Sequence, residues 1–242
     1  YRDGLMRNGR APENSFGRSA TLHFDDAMIK AGATYKLDGR NHFSIRAQYG
    51  TVAPIINDVY ISPRIKDTTI GDVRSTRVFS IDGTYTWNYR RFRGSISAYF
   101  TDMNYATERY GFWDESINAF CNFALTGVHR QYKGIELGMA YQITSSLQAT
   151  FAGNFSRYRY ANNPMGTRSV ENGLAPDKTT QFFLKNYYCT STPQTAFNIG
   201  LAWKAPKMWF VNVDASWLAD YYVRLAYPRH QVIEGLGSYA GT

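Results

Sequence analysis

No stretch of this chain approaches the ~18 consecutive apolar residues of a membrane-spanning helix, which excludes a helical membrane protein. The mean hydropathy of −0.41 looks like that of a soluble chain, but it does not bear on a barrel, whose apolar signal per strand is weak. Cysteine is nearly absent: Cys121 and Cys189 are too few for a disulfide framework and form no zinc pattern. Both fall in segments expected to be external, where a disulfide would suit an oxidising compartment; the sequence leaves their pairing open. The four histidines, His23, His42, His129 and His230, stand in no HExxH or HxxEH frame, and no GxSxG elbow occurs. No glycine cluster sits between a strand and a helix to cradle phosphate. The acidic pairs Asp25-Asp26 and Asp114-Glu115 read as solvated rim acids rather than as an acid/base couple. The expectation is a protein that is not an enzyme, with no cofactor and no metal.

Charge adds a further exclusion. The net charge is +8 and the isoelectric point about 9.4, yet the basic residues are scattered, with no run of four and no recognition motif. Nucleic acid is therefore not the expected partner. Several of them (Arg64, Lys66, Arg74, Arg77, Arg130, Arg168, Arg229) lie in predicted loops, suited to meeting anionic lipopolysaccharide or an acidic ligand.

What the chain does have is alternation. Four short polar turns, Asp38-Gly39, Asn88 to Arg91, Thr144 to Ser146 and Ala205 to Lys207, recur at near-even intervals. Counting outward from them predicts eight strands, at 28–37, 41–50, 76–88, 92–104, 131–143, 147–159, 194–204 and 208–219. Successive strand residues face opposite ways, so one face reads Ile29, Ala31, Ala33, Tyr35, then Phe43, Ile45, Ala47, Tyr49, and so on to Val211, Val213, Ala215, Trp217. That list contains no charge. The opposite face collects Lys30, Arg46, Asp82, Arg93, Glu136, Gln148, Asn154, Asp214 and their like. A charge on a lipid-facing position costs about 2–4 kcal/mol at mid-membrane, so this division is what lipid would enforce. Tyr35, Phe43, Trp87, Phe92, Tyr141, Trp203 and Trp209 lie beside the turns, where an interfacial aromatic girdle belongs.

The expected fold is thus all-β: an antiparallel transmembrane β-barrel with short periplasmic turns and long external loops, in the bacterial outer membrane. A soluble β-sandwich binding module also alternates and stands as the other reading. The predicted strands, however, exceed the ~5–6 residues usual in soluble sheets and match the ~9–11 of a tilted spanning strand. Small residues on the polar face (Gly138, Ala140, Ala152, Gly200, Ala202) would make room inside a barrel but gain nothing in water.

Several segments carry a resemblance. Ala47 to Pro54 with Asp58 to Arg64, Ser80 to Tyr85, Asn122 to Val128 with Gly134 to Gly138, Leu184 to Tyr187 with Thr192 to Gln194, and Pro206 to Phe210 together resemble the barrel portion of TonB-dependent outer-membrane receptors of the Bacteroidetes type. The match spans most of the chain in consistent order. It implies an arc of a barrel of about 22 strands closed by a plug domain. It further implies active import of a scarce small-molecule or oligomeric nutrient, driven by the inner-membrane TonB complex, with a surface lipoprotein as a further partner. Residues 1–242 would then be a partial barrel domain, with the plug and remaining strands elsewhere. The polar opening Tyr1-Arg2-Asp3-Gly4, which carries no secretory signal, fits a piece of something longer. A self-contained eight-stranded outer-membrane barrel is the structural alternative.

Two sets of site residues follow. The external segments 51–75, 105–130 and 160–193 are the candidates for ligand capture, through Tyr60, Arg64, Tyr110, Trp113, Tyr187 and Tyr188. Arg46, Asp82, Glu136 and Asp214 face inward and would contact the plug. Which nutrient is taken up is not written in the sequence.

Overall fold

The computed structural model describes residues 21–62, 69–115, 118–170, 176–190 and 192–223. Among them the chain is all-β, with one 3-10 turn at Ile56–Asp58 and no α-helix. The strands are β1 (Met28–Lys36), β2 (Asn41–Val52), β3 (Thr76–Asn88), β4 (Phe92–Asp114), β5 (Ala119–Gln142), β6 (Leu147–Tyr160), β7 (Met165–Val170), β8 (Lys178–Gln181), β9 (Thr195–Lys204) and β10 (Phe210–Ala219). They form one antiparallel sheet in the order β1-β2-β3-β4-β5-β6-β9-β10, with β7 added to β5 and β8 to β7. The sheet is not closed: β1 and β10 are its two edges, and nearly every residue of both is exposed.

The tight turns close at one end for identifiable reasons. Asp38 Oδ1 accepts the backbone N–H groups of Arg40 at 2.6 Å and Asn41 at 2.7 Å, an Asx arrangement that reverses the chain. Thr144 Oγ1 does the same for Ser146 and Leu147, at 3.2 and 3.0 Å. The other two close through backbone bonds, Tyr89 N–H to Phe92 and Ala205 N–H to Trp209.

These turns fix the register within the hairpins β1–β2, β3–β4, β5–β6 and β9–β10, and the pairing between hairpins keeps the same faces together. Across β1 to β3 the apolar positions pair as Ile29↔Tyr49, Ala33↔Ile45 and Tyr35↔Phe43, then Tyr49↔Phe79 and Phe43↔Tyr85. The row continues through Ile96↔Leu137, Ile135↔Phe155, Phe151↔Ile199 and Trp217↔Phe197. A one-residue slip anywhere would break it. From Trp87 to Phe79 the band runs about 27 Å along β3 at ~3.4 Å per residue. The polar positions fall in line on the other side: Arg46↔Asp82, Thr84↔Ser97, Glu136↔Asn154 and Gly200↔Asp214.

Beyond the band, the structure departs from the expected long loops. Segment 105–130 is mostly strand: β4 and β5 continue as a single tall hairpin that carries β7 on its flank. Alternation hides this for two reasons. The pairing slips at bulges on either side of Ala106, and Tyr105 (φ 62°) and Gly127 (φ 66°) both turn left-handed at that height. Past the bulge, the β5 run from Cys121 to Thr126 is buried on both faces, so apolar residues and the buried polar Asn122 and Thr126 follow no strict alternation. Phe123 and Leu125 pack with Phe182, Leu184 and Tyr160 on one side, while Ala124 meets Ile61 and Ile70 on the other. This crown holds the core of the molecule. The main wall, by contrast, has large apolar side chains standing exposed along one whole face.

Candidate functional site

The crown is organised around a buried acid. Glu108, 8% exposed, takes the Arg130 guanidinium at 3.1 Å and the Tyr160 hydroxyl at 3.1 Å, and also accepts from the Tyr110 hydroxyl. Burial is the largest single influence and works against the charge on Arg130, but the Glu108 carboxylate together with Tyr132, Tyr160 and Cys189 outweighs it and holds the guanidinium pKa above its ordinary value. Tyr110 is thereby turned into the crown, and Tyr187 packs against the same buried cluster. Tyr188 stacks flat on Tyr222, with ring centroids 4.3 Å apart, while Arg159 lies 4.3 Å over its other contact face. Trp113 stands 55% exposed near the tip of the tall hairpin, and Tyr60 bridges to Thr69 in the segment after β2. Arg64 lies outside the described residues. Of the ligand candidates, Tyr110 and Tyr187 both pack against the crown core, Trp113 is exposed, Tyr60 bridges to Thr69 and Tyr188 pairs with Tyr222 and Arg159.

The wall candidates come closer together. Arg46 Nε and Nη2 reach Asp82 Oδ2 at 3.0 and 2.9 Å, directly across the β2–β3 ladder. Both line a groove of about 350 Å³ on the polar face with Thr84, Ser97, Glu136 and Tyr158. A second groove of about 440 Å³ runs over Gly138 and Ala152, flanked by Asn154, Asn198 and Ser216. The small residues on that face do leave open space there. Asp214 sits apart, over Gly200, where an added Cβ would come within 2.5 Å of its carboxylate and of Thr150 Oγ1.

Sequence reasoning passed over three features just beyond the apolar band. Asp102 Oδ2 receives His129 Nε2 at 2.7 Å and Gln131 Nε2 at 2.8 Å. Asn162 fastens the bulge through backbone groups of Gly127 and His129. Lys133 and Arg157 stand directly opposite each other on neighbouring strands. The available signal for the last was parity: both continue the apolar rows of β5 and β6 by one step, where the residue type changes from apolar to charged.

Cys121 and Cys189 are both buried thiols that form no disulfide with each other. Burial pushes the Cys189 thiol up to about 11. Among the described residues, no group of three His, Cys, Asp or Glu side chains is placed to hold a metal ion. No protein-family model, no curated protein and no solved structure matches this chain.

Proposed function

We propose that this chain forms part of the wall and external crown of a plugged outer-membrane barrel that imports a scarce nutrient in a TonB-dependent manner. The observation that carries the reading is the charge-free face held in register across eight neighbouring strands, from Ile29 on β1 to Trp217 on β10. In water such a face needs a covering layer, yet the described residues form one sheet, with no second sheet laid over it. Lipid would cover it at no cost. The exposed rows of β1 and β10 support further strands at each edge, since open edges are not tolerated within hydrocarbon. The polar grooves, with the Arg46–Asp82 pair and Glu136, offer a plug the hydrogen-bonding surface it needs. The crown lies at the end away from the tight turns and would present the ligand-binding surface. The TonB-dependent mode of transport rests on the resemblance of the sequence segments named above.

Fractionation of the expressing cells tests the wall. The protein should sediment with the outer membrane and require detergent for release; recovery from the aqueous fraction without detergent defeats the reading. Uptake assays on a deletion strain, one nutrient at a time and with the TonB system intact or inactivated, test the transport function. The self-contained eight-stranded barrel would require β1 to pair with β10; a cysteine pair placed on those two edges that cross-links within one molecule would favour it.

A further inference from the structure

A band of charge begins where the apolar face ends. On β5 and β6 the last apolar pair is Ile135↔Phe155, and the next pair on the same face is Lys133↔Arg157. All four side chains are exposed. Like charges directly opposite each other on adjacent strands repel, so this pair is unfavourable without an anion. The nearby acids do not supply one fully. Asp102 is occupied by His129 and Gln131, and Asp220 accepts from the Thr195 hydroxyl. Arg159, two residues beyond Arg157, adds another cation and is held over the Tyr188 ring. Lys133, Arg157, Ile135, Phe155, Tyr188 and Tyr222 line a common pocket of about 580 Å³, in which Asp220 is the one carboxylate. The pocket thus brings two cations, the rings of Tyr188 and Tyr222 and two apolar side chains of the exposed band together with polar groups of Ser156, Gln194 and Thr195.

We propose that Lys133 and Arg157 form a binding site for the phosphate of an anionic membrane lipid, whose acyl chains lie along Ile135 and Phe155. The assignment rests on the wall reading above, which puts Ile135 and Phe155 in the hydrocarbon and Lys133 and Arg157 at headgroup level. Two features distinguish this place from a generally basic surface. The cations are paired across the ladder at a spacing one phosphate group can bridge, and the apolar partners lie one step toward the hydrocarbon. Phosphate oxygens would accept from both side chains at once, turning the repulsion between them into a clamp.

The test uses the detergent-solubilised full-length protein and measures binding of diphosphorylated lipid A, enzymatically dephosphorylated lipid A and inorganic phosphate. Each basic side chain near a lipid surface contributes about fivefold, so Lys133→Gln with Arg157→Gln should weaken binding of the diphosphorylated lipid about thirtyfold. The dephosphorylated lipid should bind wild type about as weakly as the phosphorylated lipid binds the double variant. Lys30→Gln, on the opposite face of the sheet, should leave the affinity unchanged. Equal affinity of wild type and double variant, equal affinity for the two lipids, or an equal loss in Lys30→Gln overturns the site. Displacement by inorganic phosphate alone would make it a free-anion site and overturn the lipid assignment. Both exposed variants should keep the heat-modified electrophoretic shift of the wild type, so a loss of binding is not a loss of fold. Wild-type protein that stays in the aqueous phase without detergent would instead strike the wall reading itself.

Discussion

Asn162 closes the kink at Gly127: its Nδ2 donates to the Gly127 carbonyl at 2.8 Å, and its Oδ1 accepts the His129 N–H at 3.0 Å. The bulge in the β4–β5 pairing interrupts the ladder at this height, and the one side chain satisfies a donor and an acceptor that the ladder leaves over. Asn162→Ala should loosen the crown by about 1–3 kcal/mol, the cost of leaving such groups unpaired. Asn162→Asp keeps the acceptor but sets a carboxylate oxygen against the Gly127 carbonyl, so it should loosen the crown as well. Hydrogen exchange of residues 121–130 reads this directly; unchanged protection in Asn162→Ala would refute the clamp.

Glu108 and Arg130 should behave as a buried pair rather than as a surface bridge. Arg130→Met leaves a carboxylate that is 8% exposed beside two tyrosine hydroxyls and should cost about 3–5 kcal/mol. Adding Glu108→Leu to that variant should recover much of the loss. Urea unfolding followed by tryptophan fluorescence measures both. A double variant less stable than Arg130→Met alone would mean that the carboxylate is held chiefly by the tyrosines.

The main sheet was largely legible in the sequence, and the crown was not. Six of the eight main strands emerged within two residues at each end, and β4 and β5 only over the part next to the tight turns. There one face is apolar and the other polar, and a period of two is visible from Ile29 to Tyr35 as clearly as from Val211 to Trp217. The crown is buried on both sides of β5, so Cys121 to Leu125 show no alternation, and Gly127 and Tyr105 shift the phase just below them. β7 and β8 are short strands inside a polar segment and depend on the edge of β5 for their pairing, which a linear reading cannot see. Of the site residues, Arg46 and Asp82 were placed on one face by parity, but their pairing was not legible, because the long segment 53–75 and not a tight turn joins β2 to β3. The inward turn of Tyr110 was not legible either, because Glu108 reaches Tyr160 and Arg130 only through the fold.

Gly94 should tolerate no side chain. An added Cβ would fall 2.6 Å from the Trp87 ring and against the Gly138 carbonyl, so the tryptophan lies across the glycine next to it in the ladder. Gly94→Ala should destabilise the sheet by about 1–3 kcal/mol through overpacking. Pairing it with Trp87→Leu, which clears the ring but not the backbone contact, should relieve part of that. The midpoint of heat modification on electrophoresis gives the comparison, and additive losses in the double variant would count against the ring contact.

Native labelling should find neither thiol. Cys121 is fully buried, and Cys189 titrates only near 11 because burial opposes its thiolate. Maleimide at pH 8 should therefore react slowly with the folded protein and promptly with both cysteines once it is unfolded. Mass spectrometry should show two reduced thiols without reductant. A mass lower by two hydrogens would instead report a disulfide and a different crown.

Acid should open the first tight turn before it touches the wall. The Asn41 side-chain amide, together with the backbone N–H of Arg40 and the other contacts at the turn, holds the Asp38 carboxyl below its ordinary value of 3.8. A depressed folded-state pKa stabilises the turn at pH values above the unfolded one and loses that contribution as pH falls through the folded one. Hydrogen exchange at Arg40 and Asn41 should therefore be independent of pH from neutrality down to about 4 once corrected for intrinsic rates, then accelerate below it. Asp38→Asn should keep an acceptor for both N–H groups and remove that acid step. A carboxyl titration midpoint for Asp38 at or above 3.8 would show that the turn gains nothing from the charge.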